Sequence, residues 1–109
     1  MAIPQLTPLQ SAFHEVVTAW PEVAARPVFG HRGYVRAGKM FAFVVGDGMA
    51  VKASGTFAGE LYARPGVVPF VVNEMPMQQW PILELRDDAG LDDVLEQARR
   101  SSESVASKA

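Results

Sequence analysis

The chain has no cysteine, which removes a disulfide framework, a thiolate metal site and a cysteine nucleophile. Histidine is scarce: His14 and His31 stand far apart, with no His-x-x-x-His spacing to hold a metal. Long apolar runs are missing too, since Met40 to Val45 falls well short of the ~20 residues that span a bilayer. The N-terminus shows no basic segment followed by an apolar one, so no secretory signal is expected, and a cytoplasmic chain fits these absences. There is no internal repeat and no linker. Residues 1–109 therefore read as one domain, with 101–109 as a serine-punctuated, frayed tail.

What is present is ordinary globular composition: 49% of residues are apolar and 20% charged, enough to fill a single core. The net charge of −2 conceals an asymmetry. Between Val23 and Gly66 six bases face two acids, a net +4, while the remainder carries −6. A basic centre with acidic flanks either faces an anionic partner or neutralises itself within the fold.

Met1 to Leu6 reads as a lead-in. A helix is expected from Thr7 to about Trp20: Thr7 caps, Pro8 suits the first turn, and Gln10 closes a capping box. Leu9, Phe13, Val16, Val17 and Trp20 fall on its buried stripe and His14 on its solvated face. Strands follow over Val23–Phe29, Tyr34–Ala37, Met40–Val45 and Met49–Ala53, with Gly30–Gly33, Ala37–Lys39 and Gly46–Gly48 as turns. Met40–Val45 lacks polar alternation and should be central. Thr56 should cap a short helix with Phe57 and Leu61 inward, ended by Pro65–Gly66. Val67–Val72 is expected near a sheet edge because Pro69 cannot donate to a ladder. Asn73–Pro81 reads as the longest irregular segment and Ile82–Leu85 as the last strand. A final helix buries Leu91, Val94, Leu95 and Ala98, with Asp92 and Asp93 in its first turn and Arg99 and Arg100 near its end. The fold class is α+β: a two-layer α/β sandwich, mostly antiparallel, in the order α-β(4)-α-β(2)-α.

The residues Arg26-Pro27-Val28-Phe29-Gly30, Gly33-Tyr34, Gly38-Lys39-Met40-Phe41-Ala42, Asp47-Gly48 and Lys52 resemble the TfoX N-terminal domain family. Pro69-Phe70, Met77 and Trp80 are similar to its second half, and the likeness runs over roughly Leu9 to Arg99. One departure is His31, where such proteins often have glycine. The resemblance implies a secretion-chaperone-like α/β sandwich, a bacterial, cytoplasmic setting, and no catalytic residues. The family's competence regulators promote transcription with the CRP activator and carry a second, helical domain. This chain ends before one, so a stand-alone domain of regulatory character is expected.

Gly30–Gly33 is not the GXXG loop of a KH domain, which lies between helices, nor a phosphate-binding loop, which needs a lysine at a set spacing. Arg26, Arg32, Arg36 and Lys52 form the most informative polar group, with Tyr34 sharing a strand face with Arg36. They could hold a carboxylate or phosphate, or be satisfied by salt bridges across the sheet. Met75, Met77 and Trp80 form an apolar segment suited to an interaction surface, unless Trp80 simply lids the core. Asp87–Asp88 and Asp92–Asp93 are explained as turn and helix-start residues, and Ser11 with His14 has no orienting acid. The expected function is a non-enzymatic protein-interaction or regulatory domain without cofactor or metal, binding a protein partner and open to homodimerisation. The alternative is a small-anion or nucleotide site on the basic strand face. Direct nucleic-acid binding is disfavoured for want of charge and exposed aromatics, and no membrane partner is expected.

Overall fold

The first helix, α1 (Pro8–Val17), starts as its sequence dictates. The Thr7 hydroxyl accepts from the Gln10 N–H at 3.1 Å, and the Gln10 side chain accepts from the Thr7 N–H at 3.0 Å. Phe13 and Val17 are fully buried, whereas Val16, expected on the same stripe, is 40% exposed. The contact face is set by Gln10, Phe13 and Val17, which leaves Val16 at its margin. Gln10 also reaches inward: its Nε2 donates to the carbonyls of Gly46 and Gly48 at 2.9 and 3.0 Å. One capping side chain thus fixes the helix onto a β-hairpin.

The computed structural model describes residues 6–28 and 30–107. Residues 1–5 of the lead-in, Phe29 at the end of the first expected strand, and residues 108–109 of the tail lie outside them. The described chain is an α+β fold, with three helices packed through one core onto a six-stranded antiparallel sheet of order β1-β2-β3-β4-β6-β5. Among the described residues no helix is long and apolar enough to cross a membrane.

β1 (Val23–Val28) and β2 (His31–Arg36) form a hairpin closed by the Val28↔His31 pair. Gly30–Gly33 is therefore not a connection: only Gly30, at φ +78°, has turn conformation, and His31, Arg32 and Gly33 are strand. Gly33 is small for packing reasons, since a Cβ there would lie 3.0 Å from the Arg26 carbonyl oxygen on the paired strand. β3 (Lys39–Val45) and β4 (Gly48–Val51) meet at a two-residue turn, Gly46–Asp47, which lies within the expected Gly46–Gly48. Gly46 supplies the positive φ, +55°, while Gly48 belongs to the strand, where a Cβ would sit 2.6 Å from the Leu83 carbonyl.

β3 is central, as its lack of alternation implied, and it carries a bulge. Tyr34 pairs with Ala42 and Val35 with Met40, which leaves Phe41 as an extra residue. Phe41 and Ala42 consequently both enter the helix-side core, while Met40 and Phe43 point to the opposite face.

β5 (Val68–Val72) is an edge strand, and β6 (Met75–Leu83) runs beside it. The segment Asn73–Pro81 is thus mostly strand rather than irregular, and the last strand begins at Met75 and ends before Leu85. Asn73 and Glu74, at φ +50° and +67°, form its turn. Pro76 is tolerated because β6 pairs only with β5 at that end, and the ladder skips Gln78–Trp80 between Met77 and Pro81.

α2 (Gly55–Tyr62) is preceded by Ser54, not Thr56, at the N-cap position, and it buries Leu61. α3 (Asp88–Ser107) starts earlier than expected and runs through the supposed frayed tail. Its late turns dock because serine is small there: Ser101 Oγ donates to the carbonyls of Lys52 at 2.6 Å and Phe41 at 3.2 Å. Arg99 and Arg100 therefore lie mid-helix and pair with Glu96, Glu103 and Glu60 rather than complementing a helix end. Asp93 lies past the first turn and pairs with Arg64, which follows α2. Burial raises the Asp93 carboxyl, but hydrogen bonds from Arg64 and Gln97 and the Arg64 charge outweigh it and hold the group below its ordinary range.

Two outcomes follow from this packing. Gly48→Ala should lower stability in urea unfolding by about 1–3 kcal/mol, since the Leu83 carbonyl cannot retreat without breaking the β4–β6 ladder. The depressed Asp93 carboxyl contributes stability above its unfolded pKa and loses it as pH falls through the folded one. The melting-temperature gap between wild type and Asp93→Asn should thus be small but measurable at neutral pH and should shrink below about pH 4.

Candidate functional site

The sheet divides the six residues singled out from the sequence. Strand alternation puts Arg32, Tyr34 and Arg36 on the helix face and Arg26 on the other, in line with Val28. Tyr34 is wholly buried beneath α1, its ring 5.4 Å from Phe13 and its hydroxyl 3.0 Å from His14 Nδ1. It is a core residue and offers nothing to a surface partner. His14, expected in solvent, is half-buried as its hydrogen-bond partner. Arg36 reaches Ser102 Oγ at 3.4 Å, and the Nε atoms of Arg32 and Arg36 are buried without a partner. Among the described residues no carboxylate forms a salt bridge with Arg26, Arg32, Arg36 or Lys52, so cross-sheet salt bridging does not account for them. Of the six, Arg32, Tyr34 and Arg36 share the helix face of β2, and Lys52 and Trp80 come together elsewhere, with Lys52 Nζ 6.0 Å from the Trp80 ring centre.

Trp80 does not lid the helix-side core. It packs at 4.9 Å on Phe43, which the β3 bulge turns to the helix-free face. Phe70 meets the same Phe43 edge-on at 4.8 Å and reaches His31 of β2 at 5.8 Å. Three strands separate β2 from β5, and in a flat sheet those two would lie about 19 Å apart. The sheet must therefore coil, folding β5 and β6 back over the face that carries no helix.

That coiling leaves an apolar groove of about 380 Å³. Met40 and Phe43 of β3 form its floor, Phe70 and Val72 of β5 one wall, and Met75, Met77 and Trp80 of β6 the other, with Val28 closing the far side. Among the described residues Asn73 is its only polar lining residue. Met75 is 66% exposed and Met77 40%, so the groove opens to solvent along a flexible, polarizable rim. The sequence did carry a signal for it, in Met75, Met77 and Trp80. The floor residues Met40 and Phe43 and the Phe70 wall were not legible, because the bulge and the coil that gather them are long-range features.

Beyond the Met40–Trp80 ridge lies a second recess of about 310 Å³, bounded by Lys39, Lys52, Ser54 and Ser104. Among the described residues its lining has two ammonium groups and two hydroxyls. Among the described residues no three histidine or carboxylate side chains converge to hold a metal.

Fold and site together define an α+β domain helical on one face and grooved on the other. Compared with protein-family models and with curated protein sequences, the chain matches none.

Burial pushes the Tyr34 hydroxyl up to about 12, slightly countered by the Arg32 charge. Because the folded value is the higher one, the neutral phenol's contribution is intact below pH 10 and is lost as pH rises from 10 to about 12. Alkaline unfolding monitored by circular dichroism should accordingly steepen in that window. Tyr34→Phe should remove that steepening and cost on the order of 1 kcal/mol for the His14 bond at neutral pH.

Proposed function

We propose that this chain is a non-enzymatic recognition domain, regulatory in the sense implied by its resemblance to the TfoX N-terminal family, and that its working surface is the groove around Trp80. The supporting observation is the uncovered groove itself: a sheet face lined by large apolar side chains, opposite the face on which the helices pack. The two-layer arrangement is compatible with the secretion-chaperone-like sandwich of that family, and a cytoplasmic setting goes with the same resemblance. The partner in this reading is a protein that seats an apolar side chain between Phe70 and Trp80, a mode in which a few buried aromatic contacts supply most of the binding energy. A second copy of the chain would meet the same surface.

A second reading is the small-anion site, supported by the Lys52 ammonium beside Trp80.

For the protein partner, affinity capture from native lysate should recover a stoichiometric protein with wild type, reduced at least tenfold with Trp80→Ala. Arg99→Ala, on the outer face of α3, should retain it. Equal recovery by both variants, or nothing above background in replicate captures, would count against the reading.

A further inference from the structure

Charged groups that the groove does not use gather at the β1 edge of the sheet. From Val23 to Arg36 the β1–β2 hairpin carries Arg26, Arg32 and Arg36 and no acidic residue. Among the described residues none of these arginines makes a salt bridge, and the Nε atoms of Arg32 and Arg36 are buried without a partner. Glu103, which shares a small recess with Arg36, is held instead by Arg99 at 2.8 and 2.9 Å. Arg32 and Arg36 lie on one face of β2, about 13 Å apart along the strand. Opposite them on β1 stand Pro27 and Val23, with exposed Ala25 between. Buried polar groups normally find partners, and guanidiniums with unmet donors beside a bare strand call for one from outside.

The backbone of that strand is open as well. The Ala37 N–H donates to the Glu22 carbonyl at 3.1 Å, and the β1–β2 register from there is unbroken. Ala24, Arg26 and Val28 therefore bond to β2, and Val23, Ala25 and Pro27 turn their backbone groups to the edge. Proline is tolerated there because it has no donor to leave unpaired. The Val23 N–H is taken by the Trp20 carbonyl at 3.3 Å. What remains open is the Ala25 N–H with the carbonyls of Val23, Ala25 and Pro27, a row short of donors.

We propose that the β1 edge takes an extended, acidic segment of a partner protein as an added strand. This surface is separate from the groove around Trp80 and does not depend on it. An incoming strand supplies the N–H donors that the open row lacks. Carboxylates four residues apart on that strand match the spacing of Arg32 and Arg36, and they reach back over Ala25, whose side chain is too small to block them. A carboxylate at an intervening position falls on the other face, beside Arg26. Arginine suits this role because its planar fork pairs with a carboxylate through two parallel bonds. A phosphate backbone would satisfy the arginines but brings no donor to the open carbonyls, which favours a peptide over a nucleic acid.

The test uses a short fluorescein-labelled peptide alternating glutamate with threonine, its glutamine counterpart, and an oligothymidylate of equal charge. Each is titrated into the full chain and followed by fluorescence anisotropy. The acidic peptide should bind roughly tenfold or more tightly than the glutamine one, and added salt should weaken it. Arg32→Gln and Arg36→Gln should each weaken it about fivefold, whereas Trp80→Ala, in the groove, should leave it unchanged. Hydrogen exchange at the Ala25 amide should slow in the complex. Ala25→Pro, which removes the edge donor without changing charge, should weaken binding, and the exchange measurement serves in its place if that variant unfolds. Equal binding of the two peptides, or unchanged exchange at Ala25, would overturn the added strand. Tighter binding of the oligothymidylate would reassign the edge to nucleic acid, and no binding of the acidic peptide would remove the site. Self-association of the chain that Arg32→Gln abolishes would make a second copy the occupant and overturn the proposal as well.

Discussion

One extra residue in β3 governs the two faces of this protein. With Phe41 inserted opposite the Tyr34–Val35 step, the side-chain alternation of the central strand slips by one. Phe41 stacks on Trp20 and joins Ala42 in the core beneath the helices. Met40 and Phe43, either side of them, are delivered together to the other face, where they become the floor of the groove. A regular strand would place Phe41 and Phe43 on the same side, enlarging one face at the expense of the other. A bulge also increases local twist, in line with the coiling that brings Phe70 over Phe43.

The helical face is fixed by a few polar contacts that substitute for generic packing. Gln10 uses its amide nitrogen on two carbonyls flanking the β3–β4 turn, so the position of α1 is tied to that hairpin. Ser101 does the same for α3, bridging the carbonyls of Phe41 and Lys52. Both side chains are buried, and each reaches backbone carbonyls near irregularities of the sheet. The opposite face has no such clamps. Its aromatic cluster of His31, Phe43, Phe70 and Trp80 coheres through ring contacts, and its rim of methionines remains exposed. The result is a rigid support behind an adaptable surface, which is the division of labour a binding site requires.

The misplaced elements share a physical cause. Gly30–Gly33 looked like a loop because glycines stand at both its ends, yet Gly33 is small because the Arg26 carbonyl approaches closely, not to bend the chain. Met75–Pro81 looked irregular because two prolines interrupt it, yet β6 lacks a second neighbour where Pro76 falls. Residues 101–107 looked frayed because serine is a poor helix former, yet Ser101 and Ser102 are buried against the sheet and its neighbours. In each case local propensity gave way to a contact many residues distant.

What the sequence determined by itself was the class of element almost everywhere. The capping box at Thr7, the central apolar strand, the edge position forced near Pro69 and the apolar character of Met75, Met77 and Trp80 all follow from interactions within a few residues. What only the tertiary structure decided was sidedness. Whether Arg36 and Lys52 share a surface, whether Tyr34 is presented or buried, and whether Trp80 covers a core or walls a groove depend on strand register, one bulge and the coil of a six-stranded sheet. Side chains alternate with a period of two, so a single inserted residue reverses every downstream assignment, and nothing local in the chain announces where it falls.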